Sequence, residues 1–185
     1  MSEPSLPDKV VAVHHCLRAA RIAHAFGGAL ALAYYAEPRA TVDIDLNVFV
    51  PPAALSVVRE ALAPLGVAGA VDAERLEADG QCRVWWARTP VDLFFAYDAL
   101  HDAMRRDTRT VPFGDERIPI LAPEHLVVCK AAFDRPKDWL DIEQVLVCVE
   151  GLDSDEIRRW LERVVGGDDA RAKRFDALER DLLGE

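Results

Sequence analysis

Apolar and polar positions change rhythm several times along this chain, and the changes mark its elements. Residues 8–25, DKVVAVHHCLRAARIAHA, keep apolar side chains at helical spacing and predict a helix with Asp8 as its N-cap. FGGALALAYYA opens on a glycine pair and continues with strong helix formers, so a tight turn leads into a helix. Pro38-Arg39-Ala40 breaks that helix, and TVDIDLNVFV predicts a strand closed by Pro51-Pro52. Residues 52–65 return to helical spacing and stop near Gly66. QCRVWWA and VDLFFAY predict a hairpin around Arg88-Thr89-Pro90, and RTVPF and RIPIL a smaller one across Gly114-Asp115. From Pro123 the pattern is helical throughout, in APEHLVVCKAAF, KDWLDIEQVLVCVE, DSDEIRRWLERVVG and DARAKRFDALERDLL. The expected architecture is α/β (α+β). A small mixed β-sheet flanked by helices occupies residues 1–122. A helical part, 123–185, packs on it as a single compact unit.

Composition narrows the class. The chain has 185 residues, half of them apolar, enough for one sizeable core. Its net charge of −10 excludes a protein that coats duplex DNA through phosphate contacts. Arg105, Arg106 and Arg109 form a basic cluster that reads as a solvated loop. Neither the N-terminal MSEPSLPDKV nor any apolar run resembles a signal peptide or a membrane span. The expectation is a soluble, cytoplasmic protein with no membrane partner. Cys16, Cys82, Cys129 and Cys148 form no CxxC pair and read as buried free thiols. His14 and His15 cannot both face one ligand, and His24, His101 and His125 stand alone in the sequence.

The candidate chemistry lies in the carboxylates. Asp43 and Asp45 sit one residue apart inside an apolar strand, so both project to one face while Ile44 and Leu46 project to the other. Two like charges so placed repel unless a cation sits between them, and hard oxygen ligands suit Mg²⁺ or Mn²⁺. Asp92 interrupts the other apolar strand, PVDLFFAY. If the two strands are neighbours, three carboxylates converge, which suits phosphoryl transfer. A lone DxD at a strand edge is also ordinary solvated surface, so the reading carries a requirement. The Asp92 carboxylate has to lie within metal-sharing distance, roughly 3–5 Å, of Asp43 and Asp45. Gly27-Gly28 at a helix start is a ready phosphate cradle, although glycine pairs mark any tight turn. Trp85 and Trp86 face opposite sides of their strand, one for the core and one beside the site or against a helix.

These residues resemble a family. FGGALALAYYAEPRATVDIDLNVFV is similar to the signature of the nucleotidyltransferase superfamily, the DNA polymerase β-like fold, and most similar to its AbiEii-like and related minimal members. The resemblance extends through TPVDLFF to LAPEHLVVCKAAFDRPKDWLDIEQVL, covering roughly residues 22–147. It implies transfer of a nucleoside monophosphate from an NTP such as ATP to an acceptor hydroxyl on protein or RNA. Asp43, Asp45 and Asp92 would bind Mg²⁺ or Mn²⁺, and Asp92 would activate the acceptor. Gly27, Gly28 and Lys130 would hold phosphates, with Arg39 and Thr41 supporting the site. Lys130 also reads as an ordinary exposed lysine, and Arg39 and Thr41 as local structure. Asp138 and Asp141 share a helix face, with a structural role favoured for Asp138. The resemblance further implies a toxin–antitoxin or phage-defence setting with a cognate antitoxin. Usual members carry Gly-Ser where this chain has Gly27-Gly28, so no hydroxyl grips a phosphate. That departure keeps open a catalytically weak or inactive nucleotide-binding module of the same fold.

Overall fold

The computed structural model describes residues 3–184; Met1, Ser2 and Glu185, at the ends of the stretches read above, lie outside the described residues. Helix α1 (Leu6–Ala19) has its cap at Ser5, three residues before the expected Asp8. The Ser5 hydroxyl accepts the Asp8 amide and the Asp8 carboxylate accepts the Ser5 amide, a capping box. The helix also ends earlier than residue 25. Arg21 takes the left-handed conformation (φ 58°), and the Ile22 amide donates to the Leu17 carbonyl at 2.9 Å. That six-to-one closure is the usual work of a glycine. Beyond it, His24–Phe26 form strand β1, all three residues buried. The apolar spacing that seemed to prolong the helix belongs to this strand.

A six-stranded sheet follows, built from β1, β2 (Ile44–Val48), β3 (Gln81–Trp86), β4 (Thr89–Phe95), β5 (Arg109–Phe113) and β6 (Glu116–Ile120). Its order is β3-β4-β2-β1-β6-β5. The β2–β4 and β1–β6 pairs are parallel and the others antiparallel, so the sheet is mixed as expected. Ile44, Leu46, Val48, Val84, Val91, Leu93 and Phe95 are buried. Strand alternation therefore leaves Asp45, Arg83 and Asp92 together on the opposite face.

Between strands lie α2 (Gly28–Leu32), α3 (Leu55–Leu62), α4 (Ala73–Asp79) and α5 (Ala99–Arg106). The last two, absent from the sequence pattern, are capped by the carboxylates of Asp72 and Asp98. Arg105 and Arg106 thus sit in the last turn of a helix and Arg109 at a strand start, not on the solvated loop expected of them. The helical part comprises α6 (Pro123–Phe133), α7 (Pro136–Cys148), α8 (Ser154–Val164) and α9 (Ala170–Leu183). α6 contacts the other three, with Trp139, Ile157, Leu161 and Phe175 buried among them.

The chain divides into two compact units. One holds the residues up to Leu30 together with Ala40–Leu121, and so the whole sheet. The other holds Ala31–Arg39 together with the residues from Ala122 onward. The sequence predicts a single compact unit with a division at 122/123; the structure has two compact units, and residues 31–39 go with the helical one. The four cysteines are free, but none is fully buried and Cys148 is exposed, contrary to expectation. Among the described residues no helix is long and apolar enough to cross a membrane.

Candidate active site on the carboxylate face of the sheet

β2 and β4 are parallel neighbours, and their register sets Asp45 directly opposite Asp92. Strands so paired lie about 4.8 Å apart, so two carboxylates share one face at close quarters. Asp43 lies just before β2, where its amide donates to the Thr41 hydroxyl at 3.2 Å. Thr41 therefore shapes the start of the strand.

The glycine pair is seated against this strand. The Gly27 amide donates to the Asp45 carbonyl at 2.9 Å. Gly28 opens α2 with φ 52°, and a Cβ there would overlap the Asp45 carboxylate, whose own Cβ would be 2.9 Å away. Any side chain at this position meets both backbone strain and Asp45. In this chain the space a side chain at Gly28 would occupy is filled by Asp45.

Arg83 is the residue that sequence reasoning missed. It lies opposite Asp92 across the β3–β4 hairpin and grips both carboxylate oxygens, at 2.7 Å each. Its hydrogen bonds to Asp92 raise its pKa above the ordinary arginine value; burial opposes this, and the charges of Asp92, Asp43 and Asp45 add to it. All three carboxylates therefore act on one guanidinium. The signal was present in the chain. With a two-residue turn at Ala87-Arg88, counting back from Thr89 and Trp86 pairs residue 92 with residue 83. Trp85 stands on the same face beside Arg83, 44% exposed, with the guanidinium 6.0 Å from its ring centre.

The donor atoms of Asp43, Asp45 and Asp92 do not all gather within 4.8 Å of one another. The fork from Arg83 engages both oxygens of Asp92 and turns it toward β3. The donor set itself, all carboxylate oxygen, fits a hard divalent cation.

Lys130 and Arg39 lie in the helical unit, each with a partner there. Lys130 is buried rather than exposed, and its ammonium donates to Asp141 at 2.6 Å. Arg39 grips the same carboxylate with two hydrogen bonds, at 3.1 and 3.0 Å. Burial pushes the Asp141 pKa up, but the hydrogen bonds from Arg39 and Lys130 outweigh it and hold the carboxyl below its ordinary range. Asp138 is fully buried and binds Arg135, which supports the structural role expected of it.

The fold and this site define a class, and comparison with known proteins agrees with it. Residues 18–185 match the family of nucleotidyl transferase AbiEii toxins of the Type IV TA system. No curated protein matches. Among solved structures, the antibiotic-resistance factor ANT(2'')-Ia is similar in fold at 13% identity, TM-score 0.58, covering 97% of each chain. A lincomycin-bound lincosamide antibiotic adenylyltransferase, LnuA, is similar at 11% identity, TM-score 0.55, over 77% of this chain and 97% of its own. An antigenic nucleotidyltransferase-like protein from Paracoccidioides brasiliensis gives 16% identity and TM-score 0.53 over 92% of both chains. The chain belongs to the AbiEii nucleotidyltransferase family.

Proposed function

We propose that this protein transfers a nucleoside monophosphate from an NTP to an acceptor hydroxyl on the carboxylate face of its sheet. The observation that carries the reading is the parallel β2–β4 register, which sets Asp45 opposite Asp92 with Asp43 and Gly28 alongside. The acceptor oxygen attacks the α-phosphorus, the bond to the bridging oxygen breaks, and pyrophosphate leaves. Asp92, freed from Arg83, takes the proton of the acceptor hydroxyl. The Gly27 and Gly28 backbone lies against the same strand and cradles the triphosphate. Asp43 and Asp45 would hold Mg²⁺ or Mn²⁺, which neutralises triphosphate charge when bound. Trp85, half-exposed on this face, offers a stacking surface for a base. The acceptor is a protein or an RNA, and by family the setting is a toxin with a cognate antitoxin.

One observation favours a second reading, a nucleotide-binding module without turnover: the closed Arg83–Asp92 pair. Parallel incubations with α-labelled and γ-labelled NTP, Mg²⁺ and candidate protein and tRNA acceptors separate the two. Transfer predicts that α-label stays on one acceptor while γ-label leaves as pyrophosphate. Binding of NTP with no label on any acceptor supports the module, and release of inorganic phosphate alone refutes both.

A further inference from the structure

A second charged site lies in the sheet unit, at the other end of β1 and β2. A cleft of ≈340 Å³ there is lined by Arg18, Arg21, Arg105, His24, Phe49 and Thr108, among other residues, and by no carboxylate. Asp45 lies in β2 and Phe49 just past its end, four residues on, about 13 Å at ~3.3 Å per residue, so the cleft is separate from the carboxylate face. Its contrast with the chain as a whole is sharp, since the net charge is −10.

Three guanidinium groups line one cleft, and none has a carboxylate partner among the described residues. All three residues are exposed at its mouth. Helix ends explain part of this. Arg18 and Arg105 sit in the last turns of α1 and α5, where a cation complements the helix dipole. Arg21 has no such account. It lies beyond the helix with φ 58°, where glycine is the unstrained choice and a longer side chain costs about 1 kcal/mol. Each helix end brings roughly half a negative charge, which three full positive charges outweigh.

The cleft wall adds no fourth cation. Burial pushes the His24 pKa down to about 4, and its ring is used on both sides: Nδ1 faces the Ile22 carbonyl at 2.8 Å and Nε2 faces His14 Nδ1 at 3.0 Å. Three guanidinium forks lining one cleft without a carboxylate suit an anion with several acceptor oxygens in a tetrahedral array. The volume is at the small end of ligand clefts, roughly 300–1,000 Å³.

We propose that Arg18, Arg21 and Arg105 form a binding site for a phosphate or pyrophosphate group, free or carried on a mononucleotide. The proposal does not rest on the carboxylate face being catalytic. Calorimetric titrations of the full chain in EDTA, which silences a metal-dependent site, test it with inorganic phosphate, pyrophosphate, AMP and ATP. The expected result is metal-independent binding of at least one of these, weakened at least tenfold in Arg18→Gln, Arg21→Gly and Arg105→Gln. Equal affinity for pyrophosphate and ATP identifies the phosphate group alone as the ligand; tighter ATP or AMP identifies a nucleotide. Arg21→Gly is the decisive variant, because it relieves the backbone strain and should raise the melting temperature while losing the anion. No binding of any of the four, binding unchanged in all three variants, or binding confined to an RNA oligonucleotide overturns the proposal.

Discussion

Gly28 carries two constraints at once, a positive φ and a carboxylate in the space of its missing side chain. Gly28→Ala is expected to lower stability by about 1–3 kcal/mol, measured by urea denaturation, and to abolish nucleotide transfer. A stable, active Gly28→Ala protein would mean that α2 does not start in the conformation described. Arg83 makes the complementary case. Removing its charge from beside three carboxylates is expected to tighten Mn²⁺ binding on the order of tenfold, read by electron paramagnetic resonance without nucleotide. If Arg83→Gln binds Mn²⁺ no better than the wild type, the guanidinium does not compete with the cation. Asp43, Asp45 and Asp92 were legible in the sequence because charges inside apolar strands stand out. Arg83 was not, because an arginine in an edge strand stands out only after the hairpin is paired.

The elements bracketing the site show where local pattern misled. The helical spacing of residues 8–25 ran on into β1, and only the left-handed Arg21 separates the two. β1 brings His24 against His14, and the pair sets a pH dependence. The hydrogen bond to the Ile22 carbonyl fixes a proton on His24 Nδ1, so Nε2 accepts from His14 Nδ1–H. A second proton on His24 would face that donor, and burial, followed by the charges of Arg18 and His15, already disfavours charge on His14. His24 has a folded pKa near 4, below its unfolded value, so the unfolded chain alone takes up the proton between. Stability is therefore full above about pH 6.5 and falls as pH drops toward 4, by about 3 kcal/mol at most. Urea midpoints from pH 7.5 to 5 check this; a flat profile in wild type, or one unchanged in His24→Gln, contradicts it.

In the helical unit, α6 and α7 bring Lys130 and Asp141 together, with Arg39 on the same carboxylate. Asp141→Asn leaves a buried lysine without its counter-charge and is expected to cost about 3–5 kcal/mol. Lys130→Met separates a strut from a phosphate contact. A strut predicts a lower melting temperature with unchanged NTP affinity, whereas a phosphate contact predicts the reverse. The buried ion pairs were not legible, because burial of Lys130 depends on how α6, α7 and residues 31–39 assemble.

At the scale of the whole molecule, the sheet unit and the helical unit are each compact, and the family match spans both. Strands β2 to β6, the helices α1 to α3 and the all-helical C-terminal part were readable from periodicity, whereas β1, α4 and α5 were not. The passage of residues 31–39 to the helical unit was not, since nothing local marks which core a loop joins. In the proposed function, Asp43 and Asp45 of the sheet unit make nucleotide transfer possible. The most direct measurement is the rate of α-label transfer from NTP to acceptor in the presence of Mg²⁺, for wild type, Asp43→Asn and Asp45→Asn. The account predicts transfer by the wild type and a loss of about a hundredfold or more in each variant, with melting temperatures kept. Transfer at the wild-type rate in either variant would contradict it.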